Sequence, residues 1–296
     1  MKFSSIRFSW LALVGLMLIT STAITNTAPI SAKQPADAVL VGAGDIASCG
    51  LTGDSETAQL LENIPGTVFT AGDNAYEDGS AANFKSCYAP TWGRVLNRTR
   101  PAPGNHDYNT PGAAPYYAYF GARAGEAGKG YYSYELGTWH VVVLNSNIDA
   151  DAESPQVAWL EADLKAHQTA CTAAIWHHPR FSSGVHGSDE RFQSFWETLY
   201  AAGVDIVLNG HDHDYERFAP QTPDGKGDAK KGIREFVVGT GGSSLRPFLL
   251  PRANSELRNS STWGVLKLTL RANGYAWNFV PVAGQKFSDA GTGACH

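Results

Sequence analysis

The sequence predicts an α/β (α+β) chain in which two packed mixed sheets are flanked by helices in one domain. Three observations predict it. Short apolar runs end repeatedly in polar loops, amphipathic stretches with helical spacing lie between them, and the last part of the chain returns to strand-like runs with no linker dividing the whole. Buried strands of open α/β sheets read as unbroken apolar runs, and ligands gather beyond their carboxyl ends.

The 296-residue chain opens on Lys2 and Arg7, then an apolar run over residues 8–19, then small residues. That order is expected of a secretory signal over 1–32, cleaved after Ala23, Ala28 or Ala32. The run is short of the ~20 residues a spanning helix needs, so no membrane association is expected after cleavage. The folded domain is then expected over 33–296, in a secreted or periplasmic protein.

Within it, the run AVLVGAGD leads into Asp45. Leu60, Leu61 and Ile64 at helical spacing predict a helix over 55–64. TVFTAGDN leads into Asp73, and GYYSYELGTWHVVVLNS reads as a hairpin turning at Gly137-Thr138. Ser154 as cap and Pro155 at the first helical position begin a helix over 154–167, with Val157, Leu160 and Leu164 on one face. TAAIWHH ends in His177 and His178. The stretch 189–203 places Phe192, Phe195, Trp196 and Leu199 on one helical face, as core rather than as a binding platform. VDIVLNGHDH leads into His211 and His213. A polar surface loop over 223–232 precedes the strand-like runs REFVVGTG, WGVLKLTL and YAWNFVPV.

Of 23 basic residues, Lys2 and Arg7 fall in the leader, which leaves 21 against 28 acidic ones, a net charge of −7. Such a protein is a poor general nucleic-acid binder, and no nucleic acid is expected as a structural partner. An anionic substrate must be attracted by something local, such as metal ions. The four cysteines are expected to pair as Cys49–Cys87 and Cys171–Cys295, which export permits. Without CxxC spacing, a thiolate metal site is not expected. Asn97 and Asn259 open two glycosylation sequons, used only in a glycosylating host.

The stretch VGAGDIAS admits two readings. Gly42, Gly44 and Ala47 form a GxGxxA dinucleotide pattern; alternatively, Asp45 is a carboxylate presented to a metal at a strand end. A dinucleotide site needs an acidic residue at the end of the second strand. Glu62 has the distance but sits in the expected helix, and the second strand ends instead at Asp73. Nor does a nicotinamide reading explain His211 and His213.

Taken singly, Asp45 reads as a helix cap, and Asp73 and Asn105 as turn residues. His211 and His213, two residues apart just after a strand, are harder to explain structurally. Six of the nine histidines fall at strand ends: His106, His177, His178, nearby His186, His211 and His213. His140, His167 and His296 look bland. Carboxylate, amide and imidazole are ligands of first-row metals, and there are too many here for one ion.

The ordered series GDIA, GDNAY, GNHD, WHHP and GHDHDYER resembles the calcineurin-like metallophosphoesterases, and most of all their purple acid phosphatase branch. The resemblance runs from Asp45 to about Arg217. It implies a four-layer αββα sandwich and two metal ions. Asp45, Asp73, Tyr76 and His213 would hold the first ion; Asp73, Asn105, His177 and His211 would hold the second, with Asp73 shared. A phenolate ligand implies Fe(III) with a divalent Fe, Zn or Mn partner. The implied activity is hydrolysis of small phosphomonoesters by in-line attack of a metal-bound hydroxide, acid phosphatase-like. His106 is the expected general acid, with Asp107 orienting its ring; His178 and His186 are expected to face substrate. Glu216 and Arg217 are expected to brace the last loop. The alternatives are a phosphodiesterase or nucleotide hydrolase on the same metals and, more distantly, an inactive secreted binding module.

Overall fold

The computed structural model describes residues 1–10 and 36–296. Residues 1–10 carry no regular secondary structure, and most of the expected leader lies outside the described residues. From residue 36 onward, two sheets pack face to face. The first has the order β13 (Ala290–Ala294), β12 (Gly274–Pro281), β11 (Gly264–Arg271), β1 (Ala38–Ala43), β2 (Thr67–Ala71), β3 (Thr99–Ala102), with β1, β2 and β3 parallel. The second has the order β10 (Ser255–Asn259), β8 (Tyr215–Phe218), β9 (Arg234–Val238), β7 (Ile206–Asn209), β6 (Cys171–Ile175), β5 (Trp139–Val143), β4 (Tyr132–Leu136). There β5, β6, β7 and β9 are parallel, while β4 and β5 form the expected antiparallel hairpin.

Alternation along the second sheet explains its unbroken apolar runs. Val141, Val143, Ala173, Ile175, Ile206 and Leu208 face the first sheet, in one core with Leu40, Phe69 and Leu266. Val142, Leu144, Ala174, Trp176 and Val207 face the other way. They pack on Val157, Leu160 and Leu164 of helix α4 (Pro155–Ala166) and on Phe195, Trp196 and Leu199 of helix α5 (Gln193–Ala201). Helix α1 (Gly53–Asn63) lies against the first sheet through Ala58 and Leu61. The result is the four-layer αββα sandwich. A short turn α2 (Ala81–Asn83) runs into a π turn over Phe84–Tyr88, and α3 (Ala114–Phe120) adds an aromatic patch beside β3.

The expected caps hold: the Ser154 hydroxyl accepts from the Val157 amide, and Pro155 takes the first helical position. Both cysteine pairs form as expected. Strand β3, which contains Pro101, was not expected; it lies at a sheet edge, where a missing N–H costs no ladder bond. Gly42 and Gly44 serve the packing of β1 against β2. A Cβ on Gly42 would stand 2.0 Å from the Phe69 carbonyl oxygen, and one on Gly44 2.8 Å from that of Ala71.

Candidate metal centre

The carboxyl ends of β1, β2, β3, β6 and β7 open onto one place, and each delivers a side chain there. Asp45, Asp73 and His211 take positive φ values of 60°, 51° and 71°, a region non-glycine residues seldom occupy. Such strain persists where the surroundings over-determine it, often at functional sites. Backbone amides fix the two carboxylates: His211 N–H donates to Asp45 Oδ2 at 2.8 Å, and His106 N–H to Asp73 Oδ1 at 2.8 Å. The remaining oxygens, Asp45 Oδ1 and Asp73 Oδ2, face inward.

The Tyr76 hydroxyl is 2.9 Å from Asp45 Oδ1, 3.0 Å from Asp73 Oδ2 and 3.1 Å from His213 Nε2. His213 Nδ1 donates to the Ser244 carbonyl at 2.7 Å, which leaves Nε2 as a lone pair. One phenol proton therefore meets three acceptors. On the other side, His177 Nδ1 donates to the Ala71 carbonyl at 2.8 Å and directs Nε2 to Asn105 Oδ1 at 3.0 Å, His211 Nδ1 at 3.3 Å and Asp73 Oδ2 at 3.3 Å. Asp73 Oδ2 alone touches both groups. Acceptors crowded in this way suit cations: the donor set is hard oxygen and imidazole, the carbonyls behind His177 and His213 fix the ligating nitrogen, and two ions can share Asp73 Oδ2.

Burial, followed by the Asp45 and Asp73 carboxylates, pushes the Tyr76 phenol well above its ordinary range, so a phenolate there needs a strongly positive ion beside it. Burial would lower His177, but the attraction of Asp73 outweighs it and lifts the imidazole to about 9. The reciprocal pull holds Asp73 below the usual carboxylate range, against the effect of its burial. Burial and the neighbouring His177 push His211 far down.

His106 stands at the edge. Its Nδ1 donates to the Glu77 carbonyl at 2.5 Å, and Nε2 lies 3.9 Å from Asp73 Oδ2. Asp107 does not orient this ring, contrary to expectation. Its buried carboxylate accepts from the Gly104 amide at 2.8 Å and from the Asn74 side chain at 2.9 Å, so it ties the two ligand loops together. Gly104 is required where those loops touch, since a Cβ would fall 2.1 Å from Asp73 N. His178 brings a ring nitrogen within 4.8 Å of those of His177 and His211. Its Nδ1 is 2.7 Å from Ser146 Oγ, and its ring stacks on Phe192. His186 packs 4.2 Å from the His211 ring. Glu216 accepts from the Ser183 amide and hydroxyl, and Arg217 pairs with Asp289 and Glu256, so both brace loops as expected.

All seven expected ligand residues thus meet. Ser146, Glu77, Ser244 and Arg246 were missed. Two of these act through backbone carbonyls, which no side-chain pattern marks.

The sequence profile of the calcineurin-like phosphoesterase family matches residues 22–215. The chain belongs to the calcineurin-like phosphoesterase family. Among curated relatives, it is 28% identical over 229 residues to purple acid phosphatase 15 of Arabidopsis thaliana, covering 65% of this chain and 43% of that one. It is 37% identical over 119 residues to purple acid phosphatase 18 of the same plant, covering 38% of this chain and 27% of that one. The chain therefore spans less than half the length of these relatives. Among solved structures of the fold, a purple acid phosphatase from yellow lupin seeds superposes with a TM-score of 0.75 at 21% identity, covering 88% of this chain and 54% of that one. Within this member of the family, the five motifs occupy strand ends in chain order.

Proposed function

We propose that this chain is a secreted or periplasmic dimetal phosphatase acting on small phosphomonoesters, of acid phosphatase type. One observation carries the reading: Asp73 Oδ2 stands between the Tyr76 hydroxyl at 3.0 Å and His177 Nε2 at 3.3 Å, joining two clusters of oxygen and imidazole groups. Asp45, Asp73, Tyr76 and His213 would hold Fe(III), and Asp73, Asn105, His177 and His211 a divalent Fe, Zn or Mn. Bound there, the two ions supply the positive charge that draws phosphate to a net-acidic protein and the Lewis acidity that ionises water near neutral pH.

The chain's own residues supply the rest. The amides of His106 and His211 keep the carboxylates from turning away. His106, fixed through Nδ1 by the Glu77 carbonyl, aims Nε2 at the centre and donates a proton to the leaving oxygen. His178, held by Ser146, and His186 line the approach and donate hydrogen bonds to phosphoryl oxygens. The two disulfides and the leader-like start support export. No helix among the described residues is long and apolar enough to cross a membrane.

Two experiments test the reading. Metal analysis of the purified full chain should find two ions per chain, removable by chelator together with activity. Turnover of 4-nitrophenyl phosphate should exceed that of bis(4-nitrophenyl) phosphate; turnover of the diester alone would replace the monoesterase assignment by a diesterase. No turnover of either by correctly folded, iron- and zinc-loaded protein would favour a binding module.

A further inference from the structure

The His186 ring is held by a residue 60 positions away: Arg246 Nη1 donates to His186 Nε2 at 2.8 Å. A guanidinium has only N–H donors and no acceptor, so Nε2 must offer its lone pair, and the proton of the neutral ring sits on Nδ1. Among the described residues, no group takes that Nδ1–H, while the ring packs 4.2 Å from the ring of His211. The contact between Ser146 Oγ and His178 Nδ1 at 2.7 Å differs in kind. A hydroxyl both donates and accepts, so it leaves the tautomer of His178 open; Arg246 leaves His186 no such choice.

Both ends of this contact have anchored backbones. The Arg246 amide donates to the His213 carbonyl at 3.0 Å, and two residues earlier the Ser244 carbonyl takes His213 Nδ1 at 2.7 Å. The Ser243 amide donates to the Asp45 carbonyl at 2.9 Å, and the Leu249 amide to the Ser183 carbonyl at 3.0 Å. The segment 243–249 is thereby stitched to the loops that carry Asp45, His213 and His186. On the other side, the His186 amide donates to Asp212 Oδ1 at 2.8 Å, and the Ser182 hydroxyl donates to Asp212 Oδ2. With the main chain fixed at both ends, the guanidinium sets the rotation of the imidazole as well as the place of its proton.

We propose that Arg246 is a positioning residue: it holds His186 with Nδ1–H free, and that N–H is the donor His186 offers to phosphoryl oxygens. The proposal rests on the phosphatase reading above and assigns the working nitrogen of one histidine at the same site. Arg246 acts through His186 and does not itself meet the substrate. Lysine in its place can also only donate, so it preserves the tautomer but loses the planar fork that fixes the ring's direction. Methionine keeps much of the apolar stem and removes the donor.

Two measurements test it. Long-range proton–nitrogen NMR of the zinc-loaded full chain with isotope-labelled histidine reads the tautomer without turnover; the His186 signals are those missing from His186→Ala. The expected pattern is a protonated Nδ1 and a bare Nε2 in the wild type, with that preference lost in Arg246→Met and kept in Arg246→Lys. A proton on Nε2 in the wild type overturns the proposal. The second measurement is a double-mutant cycle on 4-nitrophenyl phosphate. Arg246→Met should lower kcat/KM by about tenfold with metal content unchanged, Arg246→Lys should recover part of the loss, and in a His186→Ala background Arg246→Met should cost nothing further. An equal loss in both backgrounds would mean that Arg246 meets the substrate itself, and overturns the proposal. If Arg246→Met fails to fold, the wild-type NMR pattern and Arg246→Lys carry the test. A folded, metal-loaded wild type without turnover counts instead against the phosphatase reading, and the NMR pattern still decides whether Arg246 sets the His186 tautomer.

Discussion

The Tyr76 hydroxyl and His213 Nε2 stand 3.1 Å apart, with His213 Nδ1 turned away to the Ser244 carbonyl. The phenol has one proton, and Asp45 and Asp73 compete for it. A trivalent ion held there would relieve this competition by taking the phenolate. Iron-loaded protein should therefore show a visible charge-transfer band, and Tyr76→Phe should lose it. A variant spectrum matching the wild type would remove Tyr76 from the metal.

The His106 ring touches the Glu77 carbonyl, approaches Asp73 and packs 4.4 Å from the Tyr76 ring, whereas the contact that orients Asp73 comes from the His106 backbone amide, which an alanine keeps. His106→Ala should lower kcat by about 10²–10⁴-fold with two metals still bound, the range for loss of a positioned acid. Parallel measurement of metal content decides the case: loss of an ion along with activity would make this histidine structural.

His140 is buried with Nδ1 2.7 Å from Glu135 and Nε2 2.7 Å from Asp163. Burial alone would lower its pKa, but the bonds to Asp163 and Glu135 win and raise it. A raised folded-state value means that the protonated ring stabilises the fold below the unfolded value of about 6.5, and that this contribution is lost as pH rises through the folded value. His140→Gln should cost about 1.5–3 kcal/mol below the unfolded value of about 6.5 and progressively less as pH rises above it. Melting temperatures of both proteins across that window, if they ran parallel, would refute the assignment.

The two disulfides differ in what they hold. Cys171–Cys295 closes a span of 124 residues remote from the centre, whereas Cys49–Cys87 ties the loop after Asp45 to the π turn that follows Tyr76. Replacing either pair by serine should cost about 3–5 kcal/mol of stability. Only the Cys49/Cys87 replacement should also weaken metal binding in competition with a chelator. Equal metal affinity in both variants would show that the first bond is purely structural.

Most of the centre was legible because five of the seven expected ligands lie just beyond apolar runs that read as buried strands. Asp45, Asp73, His177, His211 and His213 could be placed at carboxyl ends from that pattern and gathered by family resemblance. The hairpin at Gly137 and the Ser154 cap were legible for local reasons, since turn and cap chemistry lies within a few residues. Strand β3 was hidden by Pro101, and β10, with its charged residues Glu256 and Arg258, by its lack of apolar alternation at a sheet edge. Asp107 misled because adjacency to His106 in sequence suggested contact; in the fold it points instead to Asn74.

The sequence by itself determined the residue types, their order and the strand ends that would carry them, because hydrophobic period and turn chemistry are local properties of the chain. Only the tertiary structure decided that Asp73 Oδ2 lies between Tyr76 and His177, that the Glu77 and Ser244 carbonyls select the free nitrogens of His106 and His213, and that Arg246 reaches His186 from 60 residues away. Those relations depend on how two sheets pack and how their loops cross, and distances between groups so far apart along the chain arise only when the core closes.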